Sequence, residues 1–301
     1  MKLATTTGDF SQQISLTLDT LPHIAEAGFK YVDYSFISDY NNKNGIFSDD
    51  FEGYIEALKK EAKRLGLTFV QAHAPMARPI VEDENYLPFI KANIKCVEAC
   101  AKLGIKNLVV HSGYDKGLTK EECFEKNKRF YAPLLKAAEE YDVYILTENF
   151  NKADVDGIYW IDNVYDLKAL IDYVDHPYFK CCYDTGHGNH QQTEPHEALK
   201  ILGDSVYALH VQDNRGDNDS HVAPFTGSMN IDSLIHGLKE IGYTGYFTFE
   251  ATEMFLTERW RRKFEGDTRL LKVPLHLRKM AESMLYEIGK YILTAYDMFE
   301  E

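Results

Sequence analysis

Five stretches of the chain share one pattern: EAGFKYVDY, RLGLTFVQAH, KLGIKNLVVH, ILGDSVYALH and EIGYTGYFTFE. In each, helix-like residues run into a glycine, and a run rich in β-branched and aromatic residues follows. A glycine just past a helix end takes the left-handed cap conformation at little cost. The run after it then reads as a strand. Gly28 and Gly66 are 38 residues apart, Gly66 and Gly104 again 38, and Gly203 and Gly242 39. The same alternation predicts a strand at DVYILTE after a helix over 119–140, and another at YFKCCYD after a helix over 163–174. KLATTT opens the chain as a strand, and a helix over about 275–297 closes it. The first helix is expected to start at Asp19 or Thr20, with Pro22 tolerated in its first turn. Eight units of about 38 residues account for nearly all 301 residues. No Pro/Gly/Ser-rich linker divides them, so the pattern predicts one α/β domain over 1–301, a single (β/α)8 TIM barrel. The competing open, doubly wound sheet would carry a glycine-rich phosphate loop, and neither G-x-G-x-x-G nor G-x-x-x-x-G-K-[ST] occurs.

Composition narrows the function. A formal charge of −14 argues against nucleic acid as a partner, because phosphate binding relies on a basic surface. The five cysteines form no C-x-x-C pair. Cys96 and Cys100 read as core positions of a helix, and Cys181 and Cys182 as part of a strand, which suits a reducing cytosol. MKLATTTGDF lacks the apolar stretch of a signal peptide, and no window approaches a membrane span. A cytoplasmic protein is expected, with a homo-oligomer open.

The chemistry lies where the strands end. In a barrel of this kind, all strand C-termini open on one mouth. Six predicted strands finish on a residue able to bind metal: His73, His111, Glu148, Asp184, His210 and Glu250. Any one of them alone reads equally well as a cap on a neighbouring backbone. Six together would repel and desolvate one another without a cation. Glu148, Asp184, His210 and Glu250 form an oxygen-rich set suited to Mn²⁺, Mg²⁺, Co²⁺ or Zn²⁺. Asp219 and His221, with His187 from DTGHGNH, suit a further metal; ordering the loop or touching substrate is the alternative for that pair. Asp213 and Asn214 read as groups that orient ligands. Arg215 reads as a holder of a substrate oxygen or phosphate, or as half of a surface ion pair. The basic run RWRRKF at 259–264 reads as a phosphate or subunit contact or as a solvated loop. Phe36, Tyr114, Phe150, Tyr159 and Trp160 are candidates to line a pocket or pack the core.

These pieces resemble a known family. AHAP (72–75), VVHSG (109–113), TEN (147–149), DTGH (184–187), HVQDN (210–214), DSHVAPFTG (219–227) and FTFE (247–250) are similar, in order, to motifs of xylose isomerase-like, AP endonuclease family 2 barrels. The likeness is greatest to bacterial sugar phosphate isomerases and epimerases. In the isomerase and epimerase branch, the resemblance implies that Glu148, Asp184, His210 and Glu250 hold one metal. In the DNA-repair branch it implies nine ligands for three zinc ions: those four with His73, His111, His187, Asp219 and His221. This chain departs from the repair pattern, with His111-Ser112-Gly113 in place of His-Pro-Gly and an acidic composition. It departs from the isomerase pattern in the looser APFTGSMNID loop, and strands 1 and 2 carry no family signature.

The expected activity is isomerisation or epimerisation of a small sugar or sugar phosphate through an enediolate. Glu148 and Glu250 act as the acid/base pair, and His73, His111, His187 and Arg215 contact substrate. The alternatives are a multinuclear zinc phosphodiesterase acting at abasic DNA and a dehydratase on an inositol-like substrate.

Overall fold

The computed structural model describes residues 1–76, 78–150, 161, 163–255 and 265–301. Tyr159, Trp160 and the basic run at 259–264 lie outside the described residues. Eight strands alternate with helices: β1 (Leu3–Thr6), α1 (Leu21–Ala27), β2 (Tyr31–Ser35), α2 (Ile37–Asn42), α3 (Phe51–Leu65), β3 (Thr68–His73), α4 (Tyr86–Leu103), β4 (Asn107–Val109), α5 (Lys120–Tyr141), β5 (Tyr144–Glu148), α6 (Val164–Val174), β6 (Phe179–Asp184), α7 (Thr185–His190), α8 (Pro195–Leu202), β7 (Val206–His210), α9 (Ile231–Glu240), β8 (Phe247–Phe249) and α10 (Leu275–Ala295). All strands are parallel, in the order β7-β6-β5-β4-β3-β2-β1-β8. A parallel bridge from Val211 to Phe249 closes the ring. This is a (β/α)8 barrel.

The glycine pattern has its expected cause at three junctions, where Gly28, Gly66 and Gly104 cap α1, α3 and α4 in the left-handed conformation. Gly203 instead has a ψ of −129°, and Gly242 follows the cap residue Ile241. Gly28, Gly66, Gly104, Gly203 and Gly242 all have positive φ. Element ends differ from the sequence reading by small amounts. Thr17–Thr20 forms a 3-10 turn, so α1 starts at Leu21, still with Pro22 in its first turn. Ladder pairing ends at Val109 in β4 and Phe249 in β8, short of His111 and Glu250. Single backbone bonds nonetheless continue the line: the Val110 N–H donates to the Leu146 carbonyl, and the Glu250 N–H to the Val211 carbonyl. Both residues therefore stay in the mouth.

Strand alternation separates two cores. Outward positions such as Leu108, Ile145, Cys181 and Leu209 join a large apolar layer beneath the helices. Inward, Val109, Leu146, Cys182 and Ala208 form a small cluster inside the barrel. Side chains two residues apart share a face of a strand. The next inward residue on these four strands is therefore His111, Glu148, Asp184 or His210. On β2, β3 and β8 the corresponding inner layer is polar, with Asp33, Gln71 and Thr248, all buried.

Candidate metal centre

Ligand-type atoms converge in three groups, each with its atoms within 4.8 Å of one another: His73, His111 and Glu148; Glu148, Asp184, His210 and Glu250; and His187, Asp219 and His221. Glu148 belongs to two of them. Its Oε2 lies 2.9 Å from His111 Nε2, and its Oε1 lies 3.1 Å from His210 Nδ1. Glu250 Oε2 is 3.4 Å from the same His210 nitrogen.

The tautomers can be read from carbonyl partners, since a carbonyl only accepts. His187 Nδ1 donates to the Asn149 carbonyl (2.9 Å), His221 Nδ1 to the Glu250 carbonyl (3.0 Å), and His73 Nδ1 to the Ala74 carbonyl (2.7 Å). In the neutral form, each Nε2 then presents a bare lone pair. Those of His187 and His221 both face Asp219 Oδ2, at 2.9 and 3.0 Å. His73 Nε2 faces His111 Nε2 at 3.0 Å. A lone pair aimed at a carboxylate repels it unless an extra proton or a metal cation sits between them, and the one proton His111 Nε2 can carry serves either His73 or Glu148. An imidazole whose other nitrogen is fixed by a backbone carbonyl or carboxylate is the usual arrangement of a metal-ligating histidine.

The charge states reflect the same shortage of cations. Burial pushes the Asp184 carboxyl up, and it pushes Glu250 up to about 7. Burial would also raise Glu148, but the imidazoles of His210 and His111 hold it well below the usual carboxylate range. Burial opposes charge on His187 and His221; Asp184 and Asp219 outweigh it at His187, and Asp219 and Glu250 at His221, so both stay well above the ordinary imidazole value. Burial and then His111 hold His73 down at about 3, neutral and ready to ligate. Asp184 Oδ2 is buried with no hydrogen-bond partner, an orphan that a cation would satisfy. The donor set thus fits a divalent ion, with Glu148, Asp184, His210 and Glu250 to hold it.

Behind these groups stand residues that sequence reasoning missed. Asp33 Oδ2 lies 3.1 Å from His210 Nε2, so Nδ1 is the nitrogen turned to the carboxylates. A register shift between Val32 and Asp33 against β3 marks the place, and Gln71 donates to the same Asp33 oxygen at 2.9 Å. Gln212 Nε2 spans Asp184 Oδ1 (3.1 Å) and Asp219 Oδ1 (2.9 Å). It can do so because position 186 is glycine: a Cβ there would fall 2.0 Å from the Gln212 side chain. Asn149 pairs through its amide with both the N–H and the carbonyl of Asp184.

Asp213 and Asn214, expected to orient ligands, brace loops instead. Asp213 accepts the N–H groups of Asn214, Gly227 and Met229, and Asn214 donates to the Gly186 carbonyl. Arg215 is exposed, on the rim of an open polar groove with Asn189, Ser228 and Asn230. Phe150 packs its ring against His111 and His187, at 5.0 and 4.5 Å between centroids. Phe36 is core, and Tyr114 bridges to Pro79 through its backbone. All five cysteines are free and buried. Among the described residues, no helix is long and apolar enough to cross a membrane.

Comparison with known proteins places the chain in a family. The family described as xylose isomerase-like TIM barrel matches residues 21–268. An uncharacterised protein of Methanocaldococcus jannaschii is 28% identical over 170 residues, 53% of this chain and 57% of that one. The chain spans about half the length of the first curated relatives it matches. A D-tagatose 3-epimerase-like protein of known structure is 20% identical, with a TM-score of 0.73 over 98% of this chain and all of that one. The IolI protein, solved with a bound zinc atom, is 16% identical, with a TM-score of 0.76 over the whole of both chains. At these identities, the two structures establish the shared fold.

Proposed function

The chain belongs to the xylose isomerase-like TIM barrel family, and from that premise we propose that it is a metal-dependent isomerase or epimerase of a small sugar or sugar phosphate. The observation that carries this reading is the convergence of Glu148, Asp184, His210 and Glu250 at one mouth. A divalent ion bound there would supply a Lewis acid that makes the C–H beside a substrate carbonyl more acidic. Mn²⁺, Zn²⁺, Mg²⁺ and Co²⁺ all suit the donors, and the zinc of the IolI structure supports one of them.

The chain's own part is proton handling. Glu148 and Glu250 flank His210 Nδ1, and each would keep one oxygen off the metal with which to handle a proton. One of the two takes the proton from carbon, and the other returns one. Glu250, 13% exposed against 1% for Glu148, is the more open to substrate. His73, His111 and His187 would contact substrate oxygens, and Arg215 would hold the outer end of the substrate. Glu148→Gln and Glu250→Gln each lower turnover on ketose sugars by about 10²–10⁴-fold, together with exchange of the carbon-bound proton in D₂O. Retained exchange in either variant rules out the assignment.

One observation favours a second reading, phosphodiester hydrolysis by a multinuclear zinc centre: all nine ligand-type residues gather into three adjoining groups. It requires two or three metals per chain and salt-sensitive binding of abasic DNA, which a metal count and a low-salt gel shift test. A dehydratase is separated from an epimerase by product analysis, because only the dehydratase loses a hydroxyl group.

A further inference from the structure

Gln212 is an uncharged residue set among charged ones. It is fully buried, and Thr185 fixes its backbone from both sides: the Thr185 hydroxyl accepts the Gln212 N–H at 3.0 Å and donates to the Gln212 carbonyl at 2.6 Å. The end of β7 is thereby tied to the first residue of α7, and the side-chain amide is delivered between Asp184 and Asp219. Its Nε2 donates to Asp184 Oδ1 and Asp219 Oδ1, while its Oε1 is buried with no hydrogen-bond partner. Turning the amide over would set Oε1 against two carboxylate oxygens, so charge dictates the orientation. A buried acceptor without a donor is destabilising, and a methionine of similar length would not carry one. What the glutamine adds is its pair of N–H donors.

Those donors decide how Asp184 can meet an ion. A carboxylate oxygen has two lone pairs. On Asp184 Oδ1 both are taken, one by the His187 backbone N–H at 2.7 Å and one by Gln212 at 3.1 Å. Oδ2 has no partner. Asp184 can therefore offer an ion one oxygen, whereas a carboxylate without such donors is free to chelate with both. The count matters because Glu148, Asp184, His210 and Glu250 bring one ligand atom each to the candidate centre, four in all. An octahedral ion such as Mn²⁺ has six positions, so two stay open. A chelating Asp184 would leave one.

We propose that Gln212 is a positioning residue that holds Asp184 to a single metal-binding oxygen and so keeps two coordination positions free for substrate. The inference rests on the metal-dependent reading above and narrows it: the substrate presents two oxygens to the ion, a carbonyl and the hydroxyl beside it, rather than one. The second N–H of the same amide does for Asp219 what the first does for Asp184. It takes Oδ1, and leaves Oδ2 to face His187 and His221.

Water-proton relaxation by Mn²⁺ bound to the full-length protein tests this, because it reads the number of exchangeable waters on the ion. Gln212→Met fills the same space without the donors. The expected result is that Mn²⁺ binds at least as tightly as in the native protein, while the relaxation enhancement per bound ion falls to about half, from two open positions to one. Turnover of ketose sugars falls with it. Gly186→Ala reaches the same end by another route, because its Cβ would fall 2.0 Å from the Gln212 amide and push it off Asp184. It decides the matter if circular dichroism shows that Gln212→Met does not fold. Native enhancement in a folded variant overturns the proposal and leaves the metal centre standing. Loss of Mn²⁺ binding in the folded variants, or a failure of both to fold, also overturns it, since the role of Gln212 would then be to build the site. A native chain that binds no Mn²⁺ overturns the proposal and the metal-dependent reading together.

Discussion

Around Arg278, two buried carboxylates share a cation that the chain provides. The Arg278 guanidinium lies 2.9 Å from both Asp9 and Glu282, and the Thr5 hydroxyl donates to Glu282 at 2.6 Å and lies 3.2 Å from Asp9. At the barrel mouth, Glu148, Asp184, Asp219 and Glu250 are also buried or nearly so, yet among the described residues no lysine or arginine pairs with any of them; every ion-pair partner is a histidine. Where charge serves only to tie β1 to α10, the sequence supplies a permanent guanidinium. At the mouth it supplies groups that can lose their protons to an incoming ion. The difference separates a structural cluster from a candidate metal centre by chemistry.

Substitutions on the two sides of this comparison should behave in opposite ways. The largest expected effect is on turnover. Glu148→Gln or Glu250→Gln lowers kcat by about 10²–10⁴-fold, the usual contribution of a positioned acid or base, measured by sugar product formation. Next is stability. Arg278→Met leaves Asp9 and Glu282 buried without their cation and costs about 3–5 kcal/mol in a urea melt. Asp184→Asn removes a carboxylate from a cluster that has too many, so the metal-free variant melts at or above the wild-type temperature while losing stabilisation by added Mn²⁺ or Zn²⁺. If both variants destabilised the metal-free chain alike, the two clusters would not differ in kind.

Smaller effects sharpen the same contrast. Asp33→Asn frees the imidazole of His210 and weakens metal binding by about 10–100-fold, read by titration calorimetry, with little change in the metal-free melt. Acidity gives the last. Glu250, raised from 4.5 to about 7, carries a proton below that range that metal must displace. Affinity therefore falls by about tenfold for each pH unit below 7 from this group alone. In the metal-free protein the sign is reversed: the stability Glu250 contributes is complete below its unfolded value of 4.5, and it is lost as pH rises through about 7.

Much of this was legible along the chain because the barrel is a repeating structure. Once the glycine junctions located β3 and β7, and the alternation of helix and strand located β5 and β6, His73, Glu148, Asp184 and His210 fell at their ends, and topology brought those ends together. His111 and Glu250 lie beyond the last ladder pairs of β4 and β8, yet parity along the strand still turns them inward. The supporting residues were harder to see. Asp33 sits in YVDYS, which carries no family signature, and its role depends on β2 lying two strands beyond β8 in the closed ring. A lone aspartate in an otherwise buried strand was the available signal. Gln212 is uncharged and sits beside Asp213, the residue whose charge draws attention in the sequence. The choice between them turns on which loop atoms each side chain meets, and strand periodicity says nothing about a loop.

The most direct measurement is anomalous scattering from a crystal of the protein grown with Mn²⁺ or Zn²⁺. The expected result is an anomalous peak bounded by Glu148, Asp184, His210 Nδ1 and Glu250, with none beside Asp9 and Glu282. A mouth that stays free of metal at saturating concentration, or an ion bound elsewhere while those four side chains turn apart, would contradict the assignment.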